Sequence, residues 1–229
     1  MTNYVGPAYL RLKETRPTPW KILNAEMLSN DCVPILAVDP GGITGWSLLV
    51  LPKEHIGKDI WSCDQRVLLN NKMNWFHGEI DCTKDELLGT YHLKKLIDEW
   101  PSAAVVMEGF QLRQMAVDLS PVRIIARIED HLWRHGRPMF TQMPAMKATA
   151  NDARLKDWGV YTSSGGLQHA RDADRHAMIF MRRLLEGNGR KHFEIREKAW
   201  PHIYCAGDDD LSKLTSGIAS GASGNWDGE

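Results

Sequence analysis

The chain has 229 residues, a quarter of them charged, with 28 Lys and Arg against 29 Asp and Glu and a net charge of −1. The length allows one domain with a large core plus extensions, and the charge balance excludes a globally basic nucleic-acid binder, so any DNA surface is a local basic face. No apolar stretch approaches the roughly 20 residues of a membrane span, the first residues lack a signal-peptide layout, and the four scattered cysteines, with no CxxC or zinc spacing, read as reduced thiols of a cytosolic protein.

Residues 1–31 read as an extension made basic by Arg11, Lys13, Arg16 and Lys21. The run Pro34-Ile35-Leu36-Ala37-Val38 predicts a buried strand over 35–39. Pro40-Gly41-Gly42 predicts a tight turn into an antiparallel strand over 45–50. The first strand thus ends in a carboxylate, Asp39, at the edge of a core. An unpaired acid there is costly, so it calls for a partner, and a metal ion fits if other acids converge on it.

A loop from 51 to about 65 precedes a third strand between Arg66 and Glu79. Thr83 predicts the cap of a helix over 84–100, with Asp85 and Glu86 in its first turn. Strand four, 103–108, repeats the first pattern: a short apolar run ending in Glu108, then Gly109 and Phe110. Ser120-Pro121 predicts a helix start, with Ser120 as cap, running to about His135 and stopping at Gly136. Val122, Ile125, Ile128 and Leu132 lie near one face of it, and Arg123 and Arg127 on another. Residues 138–143 form a short fifth strand; Pro144 opens a helical segment, and a second helical stretch reaches Trp158-Gly159. A Ser/Gly loop leads to the last core helix, 168–186, ended by Gly187-Asn188-Gly189. The residues from Thr215 onward read as a Gly/Ser-rich tail.

The expected fold is therefore α/β, a five-stranded mixed sheet with three antiparallel strands followed by two parallel ones, flanked by helices. The expected organisation is an extension over 1–31, a domain over 32–188, and a C-terminal extension and flexible tail over 189–229.

Helix geometry sorts the acids of the last helix. At about 100° per residue, His169 and Asp172 lie about 60° apart, beside an apolar stripe of Ala173, Ala177, Phe180 and Leu184. Asp174 lies about 160° from Asp172 and cannot share its site. His176 reads as packing or hydrogen-bonding at the helix edge. Singly, Asp39 is also a common turn acid and Glu108 an ordinary strand-end acid; the order of the acids is what points to a shared metal.

The pieces Val38-Asp39-Pro40-Gly41, Met107-Glu108-Gly109-Phe110, Pro144 to Gly159 and His169 to Ala177 resemble, in that order and spacing, the RuvC-like Holliday junction resolvases of the RNase H-like superfamily, especially the forms carried by phages. The resemblance implies a magnesium-dependent endodeoxyribonuclease that resolves four-way junctions. Asp39, Glu108, His169 and Asp172 would be its catalytic and metal-binding residues. It implies two Mg2+ ions per site about 3.5–4 Å apart, with Mn2+ as a substitute. It also implies a homodimer acting on branched DNA, with no nucleotide cofactor and no membrane, in the cytoplasm, the host's if the chain is phage-encoded. His169 stands where many relatives have an acid, and a neutral imidazole there binds metal or moves a proton. Phe110 follows the strand-four acid where relatives carry an aromatic that stacks on unpaired bases; packing in the core is the other reading. Arg113, Arg123 and Arg127 would continue a phosphate-binding face, and Lys147 and Arg154 fall in the family's basic segment near the cut strand.

Three other readings use the same residues: a nuclease of this fold acting on flaps or forks, a branched-DNA binder with a silent site, and an actin-like ATPase or sugar kinase. The last needs a second phosphate loop that this sequence lacks.

Overall fold

Side-chain alternation along two central strands sets the architecture. In the computed structural model, which describes residues 10–13, 32–52, 74–111, 118–161, 163, 167–185 and 190–204, strand β1 covers Leu10–Lys13, β2 Cys32–Asp39, β3 Ile43–Pro52, β4 Asn74–Asp81, β5 Ala104–Glu108 and β6 Met139–Gln142. They form one sheet in the order β1-β4-β3-β2-β5-β6. The pairs β4–β3 and β3–β2 are antiparallel, and β2–β5 and β5–β6 are parallel. This is the five-stranded mixed sheet expected, the arrangement of the RNase H-like fold. Strand β1 adds a sixth member antiparallel to β4, so the stretch read only as a basic extension also supplies an edge strand.

Helices cover both faces, so β2 and β5 are buried along their length and read as unbroken apolar runs. Leu36, Val38, Val105 and Met107 point to one face. There they meet α1 (Glu86–Glu99) and α2 (Ser120–Arg134) through Leu93, Leu96, Ile97, Ile124, Ile128 and Leu132. Ile35, Ala37, Ala104 and Val106 point to the other. That face receives Ala150 from the 3₁₀ helix Pro144–Ala150, Leu155 from α3 (Asp152–Asp157), and Ala177, Phe180 and Leu184 from α4 (Gln168–Leu185). Continued by one more period of two, this face holds Asp39 at the end of β2 and Glu108 at the end of β5. The period-two rule therefore aims both acids at α4.

Helices α5 (Arg190–Ala199) and α6 (Pro201–Tyr204) follow. Trp200, between them, is fully buried in the α4-side core, and its indole N–H donates to the Pro34 carbonyl at 3.2 Å. Among the described residues no helix is long and apolar enough to cross a membrane.

Local corrections have local causes. Thr83 does not cap α1, because its N–H and hydroxyl are both engaged by Asp81; Asp85 caps instead, accepting from Leu88 N–H at 2.9 Å. Helix α2 takes in Ser120, with Leu119 as the capping residue, and Asp118 accepts from both the backbone and the hydroxyl of Ser120. Its buried face is Ile124, Ile128 and Leu132, at i, i+4 and i+8, whereas Val122 is 39% exposed. The third strand lies at 74–81; its predicted beginning, 66–73, falls outside the described residues, as does Arg113.

Candidate active site

Asp39 and Glu108 come together because β2 and β5 are adjacent and in register, with Val38 opposite Met107 immediately before them. Both are nearly buried, at 7% and 8% exposure. Helix α4 crosses this edge and contributes His169 and Asp172 at i, i+3. His169 donates its Nδ1–H to Asp39 Oδ2 at 2.9 Å. Asp172 Oδ2 accepts from the Lys147 ammonium at 2.8 Å. That same Nζ lies 2.9 Å from Glu108 Oε2 and 3.8 Å from Asp39 Oδ1. All four residues singled out from the sequence are thus in one cluster, and three carboxylates from three separate elements share one cation, the Lys147 ammonium.

The electrostatics follow from burial and crowding. Loss of water around Asp39, reinforced by the neighbouring Glu108, pushes its carboxyl up to about 7, against the lowering effect of His169 and Lys147. Burial pushes Glu108 upward too, but its hydrogen bonds with His176, Asp39 and Lys147 outweigh this and hold it down at about 2. The two acids titrate as a pair: Glu108 is ionised at neutral pH, and Asp39 is poised to hold or release a proton. The bond to Asp39 holds the His169 imidazolium above its usual range, against partial burial. Lys147 is held above its usual range despite burial by Asp172, Asp39 and Glu108.

Around these four, a second layer fixes orientation. His176 donates from Nε2 to Glu108 Oε2 at 3.0 Å, and its Nδ1 bonds to Gln142 Oε1 at 2.8 Å. Arg175 bonds the other oxygen of Asp172, together with Asp152 and the Ala150 carbonyl. The helix-wheel choice between acids corresponds to the geometry. Asp174 points away from the cluster and is buried against β4, accepting from Trp75 Nε1 at 2.8 Å and His77 Nδ1 at 2.7 Å. Asp174→Asn is expected to cost about 1–3 kcal/mol of stability, because it disturbs two buried hydrogen bonds. On the nuclease activity that the motif order implies, cleavage should stay within a few-fold of the parent. Urea unfolding and a junction-cleavage assay check the two halves.

A cleft of about 200 Å³ opens beside the acids, lined by Asp39, Pro40, Glu108, Phe110, Pro121 and Pro144, among others. Phe110, half-buried, is therefore a wall of the cleft. Arg123 and Arg127 both bond Glu86 on α1, so neither guanidinium is an unengaged phosphate ligand. Arg154 is exposed, with one guanidinium N–H on the Thr149 carbonyl. Lys147, read from the sequence as a DNA contact, lies among the acids.

Does the cluster fit a divalent cation? Its donors are hard carboxylate oxygens plus one imidazole, the set that suits magnesium or manganese, and three of those carboxylates already converge on a positive charge. As the side chains stand, no three His, Cys, Asp or Glu groups among the described residues are spaced to hold a metal. The fit is one of donor chemistry and shared charge, with Lys147 at the common point.

Sequence reasoning missed the central placement of Lys147 and the bond from His176 to Glu108. The second had a signal: 169, 172 and 176 are i, i+3 and i+7, one face of a helix.

No protein-family model matches the chain, and no curated protein matches it. Among solved structures, the chain is similar to Thermus thermophilus RuvC in complex with a Holliday junction substrate. The identity is 14% and the TM-score 0.45, over 64% of this chain and 90% of that one. It is likewise similar to a second T. thermophilus RuvC structure, at 17% identity and TM-score 0.45, over 64% of this chain and 92% of the other.

Proposed function

We propose that the chain is a magnesium-dependent endonuclease that hydrolyses phosphodiester bonds in branched DNA, with the Holliday junction as its first substrate. The observation that carries the reading is the convergence of Asp39, Glu108 and Asp172 on one cation, with His169 bonded to Asp39. Branched DNA as the substrate comes from the motif order, which resembles that of the RuvC-like resolvases. A phage-type enzyme, a homodimer with two sites and residence in the host cytoplasm belong to the same reading.

In it, Asp39, Glu108 and Asp172 hold the ions, two per site, with His169 as a further ligand or as a proton carrier. Bound magnesium supplies an activated water and shields the charge of the attacked phosphate. Asp39, with its carboxyl near neutrality, is the acid whose proton is displaced when the site takes up positive charge. His176 and Arg175 keep Glu108 and Asp172 oriented. Phe110 offers a ring at the cleft wall for an unpaired base, and Arg154 an exposed charge for the backbone.

The test is cleavage of labelled four-way junction, fork and flap substrates of matched sequence, with magnesium and with chelator. Symmetric, magnesium-dependent cuts in the junction support the proposal. Equal or better cutting of flaps or forks moves the substrate to the alternative reading of a branched-DNA nuclease. Tight junction binding without cutting at any magnesium or manganese concentration would leave a silent branched-DNA-binding protein.

A further inference from the structure

One transverse row of the sheet, Asp39 on β2, Gly45 on β3 and Glu79 on β4, runs beneath the first turn of α4, since Asp39 pairs with Gly45 and Gly45 with Glu79. Each member meets the same residue of the helix. Asp39 takes the His169 side chain at 2.9 Å. Glu79 Oε1 accepts the His169 backbone N–H at 3.0 Å and the Ala170 N–H at 3.4 Å. Gly45 lies against the His169 carbonyl: a Cβ built there would stand 2.0 Å from its oxygen and 2.1 Å from its carbon.

The arrangement is unusual in its chemistry. The first N–H groups of a helix need acceptors, and the common solution is a Ser, Thr, Asp or Asn just before the helix. Here that residue is Leu167, which has no acceptor side chain. The acceptor comes instead from a strand residue 90 positions before His169, as a carboxylate only 5% exposed. Burying an acid is expensive, and its bonds to two backbone N–H groups at the start of the helix offset that cost. Those bonds also tie the helix at one axial position and one rotation. We infer that Gly45 and Glu79 are positioning residues for His169, holding its backbone so that its imidazole meets Asp39. The role in cleavage rests on the nuclease reading; the placement does not.

The test separates the two. In the full chain, labelled with 15N and free of metal and DNA, the hydrogen-bonded ring N–H resonance of His169 is followed in Glu79→Gln, Glu79→Leu and Glu79→Asp. Gln keeps an acceptor oxygen at the same reach, Leu removes it, and Asp withdraws it by one methylene. The resonance should persist in the parent and in Glu79→Gln, vanish in Glu79→Leu and weaken in Glu79→Asp. Junction cleavage should show kcat about 10–100-fold lower in Glu79→Leu at unchanged KM, as expected of a misplaced group, with Glu79→Gln near the parent. Should Glu79→Leu fail to fold, Glu79→Asp decides by the same signs. Glu79→Leu with the resonance and kcat intact, even at lowered Tm, overturns the inference by showing Glu79 to be merely structural. The expected resonance pattern in a protein that cuts nothing would uphold the placement and sink the nuclease reading.

Discussion

Asp39→Asn is expected to abolish junction cleavage, by at least about 10³-fold, and at the same time to raise the thermal stability of the metal-free protein at pH 8. The two effects share one cause. Asp39 is a nearly buried acid whose carboxyl is pushed up to about 7, first by burial and then by Glu108. Its folded-state value lies above its unfolded one, so the folded protein binds the extra proton between about pH 4 and 7. The stability this confers is complete below the unfolded value and is lost as pH rises through about 7. Above that, the ionised side chain opposes folding by up to a few kcal/mol. An amide in its place carries no charge and can donate to Glu108 as the protonated acid does. Offset by the altered bond to His169, the net gain at pH 8 should be about 5 °C in Tm, shrinking toward nothing at pH 5. Junction binding in calcium should be nearly unchanged, because the proposed DNA contacts are made by other side chains, Phe110 and Arg154. Scanning calorimetry at the two pH values and a cleavage assay check this; substantial cutting by Asp39→Asn would refute the assignment. In the parent, magnesium affinity should rise from pH 6 to pH 8, with proton release on binding.

Lys147→Met should produce the second large effect, and it separates two readings of this residue. If Lys147 serves chiefly as a DNA contact, its loss weakens junction binding in a salt-dependent way and leaves metal binding unchanged. Its position 2.8 Å from Asp172, 2.9 Å from Glu108 and 3.8 Å from Asp39 makes it the internal counter-ion of the acid cluster. Methionine keeps the stem and removes the charge. Three acids then lose their common partner, so the metal-free protein should lose stability at pH 8. A divalent ion no longer competes with an ammonium for the same oxygens, so magnesium should bind roughly tenfold more tightly, a change of about 1.4 kcal/mol, and raise Tm more than in the parent. Titration calorimetry reads this directly; unchanged magnesium affinity would return Lys147 to the role of a DNA contact alone.

What the sequence made legible was periodic and local. The apolar runs of β2 and β5 disclose their own burial and place an acid at each end, and the 100° helix step alone separates Asp172 from Asp174. Turn chemistry located the β2–β3 hairpin and the end of α2 at Gly136. What stayed hidden was competition between neighbours and pairing over long distances. Thr83 looks like a cap until Asp81, two residues earlier, takes its hydroxyl. Val122 and Ile124 are both apolar, and it is Ile124, in step with Ile128 and Leu132, that is covered. Lys147 with Glu108, Glu79 with His169 and Trp200 with Pro34 are joined by an ion pair and two hydrogen bonds between residues far apart in the chain, and no local pattern announces them.

The claim on which the rest depends is that Asp39, Glu108 and Asp172 can share a divalent cation. Anomalous diffraction from crystals of the protein soaked in manganese at pH 8 tests it most directly. The account predicts manganese bound by oxygens of all three acids at about 2.1–2.3 Å, with the Lys147 ammonium displaced from them. Manganese absent from the cluster at saturating concentration, with Lys147 still bonded to Glu108 and Asp172, would contradict it.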